Sequence, residues 1–421
     1  MKLITSASYL ELAQIQETLQ SILLTNILPF WHPRIIDFNE GGYCLNHDHL
    51  GRFQGKGQKS LVSQARTVWF FSRLFNSSYG ADEHLKAAQW GYEFLRECLW
   101  DQQHGGFYWA VDESGKIATS SGKHLYGQAF AIYALSEYAI ASKDTGAIQL
   151  ADSLFNLLET YAYDVEHGGY RESFQADWQS VPPDEMTYLG TPAAFKLLNT
   201  HLHLMEALEV YYRVKPNSHV REKLTELILI NSNAVVRKSI GTCSDQYHPD
   251  WLPVDTPSGK RTSYGHSLEN LWLLALVRRT LGLSNSPLIE LYQTLFKYAL
   301  RYGYDKRRGG FYESGYFNQI ADKRTKIWWV QAECLVAALQ MYKFTKERIY
   351  FRCFCQTLSW IVNNQVDWQR GEWHRNILPN GRPEGYKAGA WKAPYHNGRA
   401  MLQCLELIKE MRQADEVEVF N

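Results

Sequence analysis

The sequence has no excess of charge of either sign and no long apolar run. Lys and Arg together number 44, and Asp and Glu together number 44, so the formal net charge is zero. The lack of a basic excess argues against a protein that binds nucleic acid by neutralising phosphates. The apolar stretch ILLTNILPFW is interrupted by Pro29 and is shorter than the roughly 18 apolar residues of a membrane helix. We therefore expect neither a nucleic-acid partner nor a membrane partner.

Cysteine pairs with metal-binding or redox spacing are also missing. The seven cysteines are scattered and form no CxxC pattern, which is typical of reduced thiols in a cytosolic protein. The opening segment MKLITSASYLELAQIQ has an early acidic residue and no A-x-A site, so it does not resemble a secretory signal. These features predict a cytoplasmic location. The neutral composition is compatible with a monomer and with a homodimer.

A short motif recurs along the chain and consists of an Asp, a few polar residues, a Gly pair and an aromatic residue. Four full copies begin at Asp37, Asp101, Asp164 and Asp305, a degenerate copy at Asp367, and a copy without glycines at Asp245. The Gly pair permits positive φ in a tight turn. Between the copies, apolar residues recur at three- and four-residue spacing. This spacing predicts helices at 8–28, 57–76, 82–100, 122–142, 145–161, 193–213, 218–238, 264–281, 286–302, 325–344, 346–364 and 394–413.

Twelve helices in six loop–helix pairs favour a closed ring. A ring gives every hairpin two neighbours, whereas an open solenoid needs caps at its ends. No Pro- or Ser-rich linker interrupts the series. The sequence therefore predicts an all-α fold, an (α/α)6 barrel of six helical hairpins, in a single domain over residues 1–421.

Polar and aromatic residues that are unusual on a surface open the even-numbered predicted helices, which would form the inner ring. They are Arg66, Tyr126, Asn199, His203, His266, Glu269, Trp328, Trp329, Glu333, Trp391 and His396. Because the inner helices converge on one axis, we expect these groups around one pocket. His266 and Glu269 are three residues apart, so the carboxylate is placed to orient the imidazole and raise its basicity. His201 diverges from His203 by roughly 200° and is expected to pack elsewhere.

Several histidines beside an arginine suit proton transfer at a sugar carbon. Histidine titrates near neutrality, and a guanidinium stabilises the enediolate oxygen that forms when an aldose loses its C2 proton. Inverting C2 requires return of the proton to the opposite face, and His266 and His396 come from different helices. His203 is then available for ring opening. Aldose–ketose isomerisation needs only one base, so both reactions remain possible at this point.

Several segments resemble the N-acylglucosamine 2-epimerase superfamily, and most closely its cellobiose 2-epimerase branch. They are NTHLHLMEA, SYGHSLENLWLL, KIWWVQAE and WKAPYHNGRA, together with Arg66 in RTVWFFSRLF. The resemblance extends from about helix 2 to helix 12. It implies an (α/α)6 barrel that acts on a small-molecule reducing sugar, with no cofactor and no obligatory metal. Ser267 stands where this branch usually has Asp, and Asn270 where a small residue is common.

The resemblance also implies a role for each matching residue. Arg66 would stabilise the enediolate, and Asn199 and His203 would bind the C1–C3 region of the sugar. His266, supported by Glu269, and His396 would transfer the proton. The sugar subsites would be lined by Tyr126, Trp391, Glu333 and the pair Trp328 and Trp329, of which one faces the pocket.

Other functions remain possible on the same barrel. The substrate is either a cellobiose-type β-1,4 disaccharide or mannose and glucose, and related activities are N-acylglucosamine 2-epimerisation and mannose isomerisation. A glycoside hydrolase would use two of Glu206, Glu269 and Glu333. A zinc site would use His203, His266 and His396, and a non-catalytic sugar-binding protein needs only the aromatic residues. The long loop 172–192 either covers the pocket or packs outside the barrel.

Overall fold

The computed structural model describes residues 9–420, and within them lie the twelve predicted helices. The first is α1 (Tyr9–Ser21, continued by Ile22–Ile27 and Leu28–Trp31). It is followed by α2 (Leu61–Phe75), α3 (Asp82–Phe94), α4 (Leu125–Ser142), α5 (Thr145–Leu157), α6 (Leu198–Val214) and α7 (Ser218–Leu229). The last five are α8 (Tyr264–Thr280), α9 (Ile289–Tyr302), α10 (Trp328–Thr345), α11 (Arg348–Trp360) and α12 (His396–Phe420). The predicted single domain also includes residues 1–8 and 421, which lie outside the described residues.

The even-numbered helices form the inner ring of an (α/α)6 barrel, as predicted. Around the ring α2 packs on α4, α4 on α6, α6 on α8, α8 on α10 and α10 on α12, and α12 contacts α2. From α3 to α11, each odd-numbered helix packs outside the even-numbered helix before it. The first helix, α1, packs against the last helix, α12. The two ends of the chain therefore close the ring.

The apolar pattern separates inner from outer helices. In α4 nearly every residue is buried, because an inner helix contacts neighbours on all sides. In the outer helix α9, burial is confined to one face that includes Tyr292, Leu295, Phe296 and Ala299. None of the helices within residues 9–420 combines the length and the apolar content that a membrane crossing requires.

Short antiparallel strands connect the helices at the end of the barrel where the inner helices begin. Within residues 9–420 they are Lys59–Ser60, Ala110–Val111, Ala118–Ser120, Lys123–His124, Ser173–Phe174, Lys196–Leu197, Val236–Arg237, Thr242–Cys243, Gln246–Tyr247, Arg261–Ser263, Ser314–Tyr316, Lys326–Ile327, Asn376–Ile377 and Pro383–Glu384. Several of them run directly into an inner helix, so the predicted starts of α2, α4, α6 and α10 were three to five residues early.

The recurring motif forms a hairpin that is held by an ion pair. In the copy that begins at Asp101, the carboxylate accepts the backbone N–H of Gln103 at 2.9 Å and binds the ammonium of Lys123 at 2.7 Å. Gly105 and Gly106 turn the chain with φ of 69° and 73°. The same pair recurs as Asp37–Lys59, Asp164–Lys196, Asp305–Lys326 and Asp367–Lys387.

A buried side chain from the following inner helix fastens each hairpin. The side-chain oxygen of Gln128 accepts the backbone N–H of Phe107 at 2.9 Å. In the next repeat, Nε2 of His201 accepts the backbone N–H of Tyr170 at 3.0 Å. His201 therefore has a structural contact away from the pocket, as the helical spacing predicted.

The prediction of a motif copy that begins at Asp245 is wrong. The hairpin before α8 pairs Val236–Arg237 with Thr242–Cys243, and its glycine is Gly241, with φ of 88°. In this copy an arginine stands where the others have the aspartate. Asp245 follows the hairpin and is free for another partner.

Candidate active site

The N-terminal ends of the inner helices bring the predicted polar groups together. Tyr395, the residue before α12, contacts three of them. Its ring lies 4.8 Å from the guanidinium carbon of Arg66, and the ring centroids of His203 and His396 lie 6.1 Å and 4.5 Å from its own. Arg66, His203 and His396 thus share one neighbour at the centre of the ring.

Trp329 connects the fourth predicted group to this cluster. Its ring centroid lies 4.9 Å from that of His266 and 5.6 Å from that of His396. Trp328 is buried, with its ring edge-on to His396 at 6.2 Å and 5.6 Å from the ammonium of Lys392. Trp329 is therefore the tryptophan that lies between the two histidines, and Trp328 packs behind them.

His203 is paired with a buried carboxylate. Its Nδ1 lies 3.0 Å from Oε2 of Glu206, which also accepts a hydrogen bond from the hydroxyl of Tyr395. Arg399 donates to the other oxygen of the same carboxylate. Burial acts to raise the pKa of Glu206, but Arg399 and His203 outweigh it and lower the pKa to about 2.

His396 is paired with a second buried carboxylate. Its Nδ1 lies 2.7 Å from Oε1 of Glu333, whose Oε2 accepts the indole N–H of Trp272 at 2.9 Å. Burial raises the pKa of Glu333 to about 8, although Arg399 opposes the shift and donates to Oε1 at 2.7 Å. Arg399 also binds Glu269, so one guanidinium connects three carboxylates from three helices.

The partner of His266 differs from the prediction. Its Nδ1 lies 2.9 Å from Oδ1 of Asp245, whereas Glu269 binds Arg399 instead. The spacing of three residues correctly placed Glu269 near His266 on α8. Its side chain, however, is fully buried and binds the guanidinium of Arg399. Asp245 reaches His266 because the end of the hairpin lies against the first turn of α8.

The environments of His266 and His396 shift their proton affinities in opposite directions. Burial acts to lower the pKa of His266, but the charge of Asp245 and its hydrogen bond raise it overall. Burial lowers the pKa of His396 well below its usual value, and the positive charges of Arg66 and Arg399 add to this effect. Near neutral pH, His396 is therefore the proton acceptor of the pair and His266 the better proton donor.

A carboxylate at Nδ1 has the same consequence for each of the three histidines. A carboxyl oxygen that accepts a hydrogen bond from Nδ1 fixes the hydrogen on that atom, so Nε2 is left to exchange a proton with a ligand. His203, His266 and His396 each have such a partner. The arrangement orients three imidazoles for acid–base chemistry.

Arg66 is held by its neighbours at one end of the guanidinium. Its Nη2 donates to the hydroxyl of Tyr126 at 2.7 Å, and its Nη1 donates to the backbone oxygen of Trp391 at 3.3 Å. The guanidinium lies 4.3 Å from the ring of Phe130. The buried Nε has no hydrogen-bond partner within residues 9–420, so a donor is available for a ligand oxygen. Asn199, four residues before His203, likewise has an Oδ1 without a partner in the described chain.

The loop 172–192 reaches the mouth of the barrel. The ring of Tyr188 stacks on Trp109 at 4.7 Å and an interplanar angle of 7°. Trp109 in turn lies 6.1 Å from Trp391, which lies 6.3 Å from Tyr126. The loop therefore contributes an aromatic ring beside the predicted site, which favours the covering arrangement over packing outside the barrel.

The arrangement that the alternative three-histidine zinc site requires is not found among residues 9–420. Among the described residues, His203, His266 and His396 do not bring three ligand atoms within 4.8 Å of one another. Glu269, Glu333 and His396 do meet this distance, but Arg399 donates to both carboxylates. A guanidinium therefore occupies the position between these two carboxylates where a cation would lie.

Three residues of the cluster had no assigned role from the sequence. Tyr395 and Arg399 flank His396 in the segment YHNGR and bind Glu206. Asp245 lies two residues after its hairpin, at the position that Glu172 takes in the preceding repeat. This shared register appears only in the folded hairpins, so no sequence pattern indicated Asp245.

Comparisons with known proteins agree with the resemblance seen in the sequence. The model of the family N-acylglucosamine 2-epimerase (GlcNAc 2-epimerase) matches residues 41–400. A cellobiose 2-epimerase of Ruminococcus albus is 32% identical over 404 residues, which cover 92% of this chain and 96% of that protein. A D-mannose isomerase of Marinomonas mediterranea is 26% identical over 397 residues, covering 91% and 95%.

A solved structure shows the same similarity in three dimensions. The cellobiose 2-epimerase from Spirochaeta thermophila superposes with a TM-score of 0.86 at 34% identity, covering 96% of this chain and 98% of that one. The matches extend over nearly the full length of both chains. The protein therefore belongs to the N-acylglucosamine 2-epimerase family.

Proposed function

We propose that this protein is a carbohydrate 2-epimerase that interconverts the C2 epimers of a reducing sugar. The observation that carries the proposal is the pair His266 and His396, two carboxylate-bound imidazoles with opposite pKa shifts on either side of Trp329. The named relatives are isomerases, so an isomerase is the enzyme class of this chain. We further propose a cellobiose-type β-1,4 disaccharide, or mannose and glucose, as substrate.

The proposed reaction removes the proton from one face of C2 and adds a proton to the opposite face. In the open-chain aldose, Nε2 of His396 takes the C2 proton, and the electrons of the C–H bond form the enediolate. Arg66 donates to the enediolate oxygen and stabilises its charge. His266 returns a proton to the opposite face of C2, which inverts the centre. In the reverse direction the two histidines exchange roles.

His203 is assigned to the opening of the sugar ring. Ring opening needs a proton to leave the anomeric hydroxyl and a proton to reach the ring oxygen. The pKa of His203 is lowered by burial, although Glu206 opposes the shift, so the imidazole is neutral and accepts a proton near pH 7. Asn199 lies one turn earlier on α6 and supplies a free amide oxygen for a sugar hydroxyl.

Two alternatives use the same groups in different ways. An aldose–ketose isomerase would return the proton to C1 instead of C2, as the similarity to D-mannose isomerase suggests. An N-acylglucosamine 2-epimerase would perform the same inversion on an acylated amino sugar. A glycoside hydrolase is disfavoured because Glu206, Glu269 and Glu333 all bind Arg399 and are buried, whereas hydrolysis needs two carboxyl groups that flank a glycosidic bond.

Incubation with reducing sugars in heavy water tests the proposal. The panel contains mannose, glucose, N-acetylmannosamine, cellobiose, lactose and mannobiose, and NMR follows deuterium at C2, the C2 epimer and any ketose. We expect a deuterated C2 epimer from at least one sugar. A ketose as the main product would support the isomerase instead, and glucose released from cellobiose would support the hydrolase.

Variants link the activity to the proposed pair. His266→Ala and His396→Ala should each abolish turnover while sugar binding is retained. His219→Ala is the matched control, because this histidine is half exposed on the outer helix α7. Retained turnover in either site variant would overturn the assignment.

A single-domain chain, a cytoplasmic location and a monomeric or homodimeric state remain predictions.

A further inference from the structure

A cavity of about 410 Å³ lies beside the candidate active site, between the loop 43–59 and the loop 375–392. Its wall contains four cationic side chains, those of Lys56, Lys59, Arg375 and Lys392, and no acidic side chain. Trp391 lines the same cavity, and its backbone oxygen accepts the hydrogen bond from Arg66. The cavity therefore adjoins the predicted sugar subsite.

Two of the four cations are already neutralised behind the wall. Lys59 binds Asp37 at 2.9 Å, and Lys392 binds the buried Glu372. Burial lowers the pKa of Lys392 to about 8 even with this partner, and the charge of Arg375 contributes to the shift. The positive charges at this wall thus lie close enough to repel one another.

The other two cations lack a close partner. Arg375 is half-buried, and its guanidinium forms no hydrogen bond or ion pair with any residue in 9–420. The ammonium of Lys56 lies 3.7 Å and 4.0 Å from the carboxylates of Asp37 and Glu40. These distances are longer than a charge-assisted hydrogen bond. Both cations are therefore available to a ligand.

The loop segment 55–58, which lines the cavity, has unbonded backbone N–H groups. In the segment Gly55, Lys56, Gly57 and Gln58, no backbone N–H donates to another atom of the described residues. A Cβ built on Gly55 or Gly57 would meet no atom within 4 Å, so the approach to this backbone is open. These N–H groups are donors that remain free to bind an anion held in the cavity.

We infer that this cavity is an oxyanion site that binds a phosphate group. The planar guanidinium of Arg375 suits two parallel hydrogen bonds to phosphate oxygens, while Lys56 and the backbone N–H groups of residues 55–58 contact the others. The phosphate is either free or attached to a sugar whose reducing end reaches the histidines past Trp391. The existence of the oxyanion site does not depend on the proposed function. Its use by a sugar phosphate rests on that function.

Binding of inorganic phosphate to the intact protein tests the site directly. Isothermal titration calorimetry of the wild type is compared with Arg375→Gln and with the control Arg382→Gln, which alters an exposed arginine on the same loop that does not line the cavity. We expect Arg375→Gln to weaken phosphate binding by roughly tenfold or more and Arg382→Gln to leave it unchanged. No binding to the wild type, or equal binding to Arg375→Gln, would overturn the inference.

Sugar phosphates identify the source of the anion. Glucose 6-phosphate and mannose 6-phosphate are tested as competitors of phosphate and as substrates in heavy water. If they are epimerised with a KM that rises in Arg375→Gln, the site serves a phosphorylated substrate. If they only compete for binding, the site holds a free anion. Phosphate binding without C2 exchange on any sugar would overturn the proposed function and leave the oxyanion site standing.

Discussion

Nδ1 of His266 and Oδ1 of Asp245 lie 2.9 Å apart, although the two residues are 21 positions apart in the chain. The side chain of Asp245 is 36% exposed, whereas that of His266 is 18% exposed. The carboxyl group of Asp245 therefore stays in contact with solvent while it contacts the imidazole. This contact is what keeps the pKa of His266 above its usual value despite burial.

We expect Asp245→Asn to impair His266 without removing it. Asparagine keeps the size of the side chain but removes the charge that raises the pKa of His266, so this pKa falls. The alkaline limb of the profile of kcat/KM against pH then moves to lower pH, and activity at neutral pH falls by about tenfold or more. Asp250→Asn is the control, because Asp250 is exposed on the same loop and, within residues 9–420, its side chain accepts only the backbone N–H of Leu252. An unchanged pH profile would show that Asp245 has no influence on the proton transfer.

Substitution of the two adjacent tryptophans separates a pocket residue from a core residue. We expect Trp329→Phe to lower kcat/KM by up to about tenfold, because the smaller ring loses contact with both histidines. Trp328→Phe should leave kcat/KM within about twofold and lower the free energy of unfolding by about 1–2 kcal/mol. Steady-state kinetics and urea denaturation measure the two effects. The reverse pattern would place Trp328 in the pocket.

The buried carboxyl of Glu172 makes stability depend on pH. Burial raises its pKa from 4.5 to about 8, although Oε1 accepts a hydrogen bond from the backbone N–H of Leu197 at 2.8 Å. A raised pKa means that the protonated carboxyl stabilises the fold. This contribution is complete below about pH 4.5 and is lost as the pH rises to about 8.

We therefore expect Glu172→Gln to be more stable than the wild type at pH 8, by about 2 kcal/mol, and to lose this advantage at pH 5. Glutamine keeps the acceptor for Leu197 but cannot ionise. Glu166→Gln serves as the control, because this side chain is 80% exposed. Urea denaturation at both pH values measures the free energy of unfolding. If this free energy changed equally between pH 5 and pH 8 in the wild type and in Glu172→Gln, the assignment would be contradicted.

Two glycines with similar backbone angles should respond differently to alanine. Gly310 has φ of 79°, and a Cβ there would lie 2.7 Å from Oε1 of Gln331. Gly282 has φ of 68° and no atom within 4 Å of such a Cβ. We expect Gly282→Ala to cost about 1 kcal/mol of unfolding free energy from backbone strain, and Gly310→Ala to cost about 2 kcal/mol more from the clash. Equal losses in urea denaturation would show that the hairpin tolerates the added methyl group.

The architecture was predictable because its signals are local and repeated. Apolar spacing identified all twelve helices, and the recurring Gly pair marked the hairpins between them. The errors in helix starts share one cause. Lysines such as Lys59 and Lys123 are compatible with a helix, yet each lies in a short strand where it binds the aspartate of a hairpin. That contact spans 22 residues and is invisible to a helical pattern.

The residues of the site were predictable from the sequence, but the contacts between them were not. Helical spacing placed Glu269 and His266 near each other, but the choice between Asp245 and Glu269 as partner depends on how a hairpin lies against α8. Trp328 and Trp329 are adjacent on one helix and point about 100° apart, so only the position of the barrel axis decides which one faces the pocket. Arg399 joins three helices, and no spacing along one helix indicates such a contact.

The packing of α1 against α12 imposes an order on biosynthesis. The ribosome makes α12 after the other eleven described helices, so the nascent chain carries an unclosed arc of helices until α12 emerges. Because α12 also carries His396 and Arg399, three buried glutamates have no counter-charge before that moment. A product that ends before α12 would therefore lack both the helix that closes the ring and the guanidinium that binds the three glutamates.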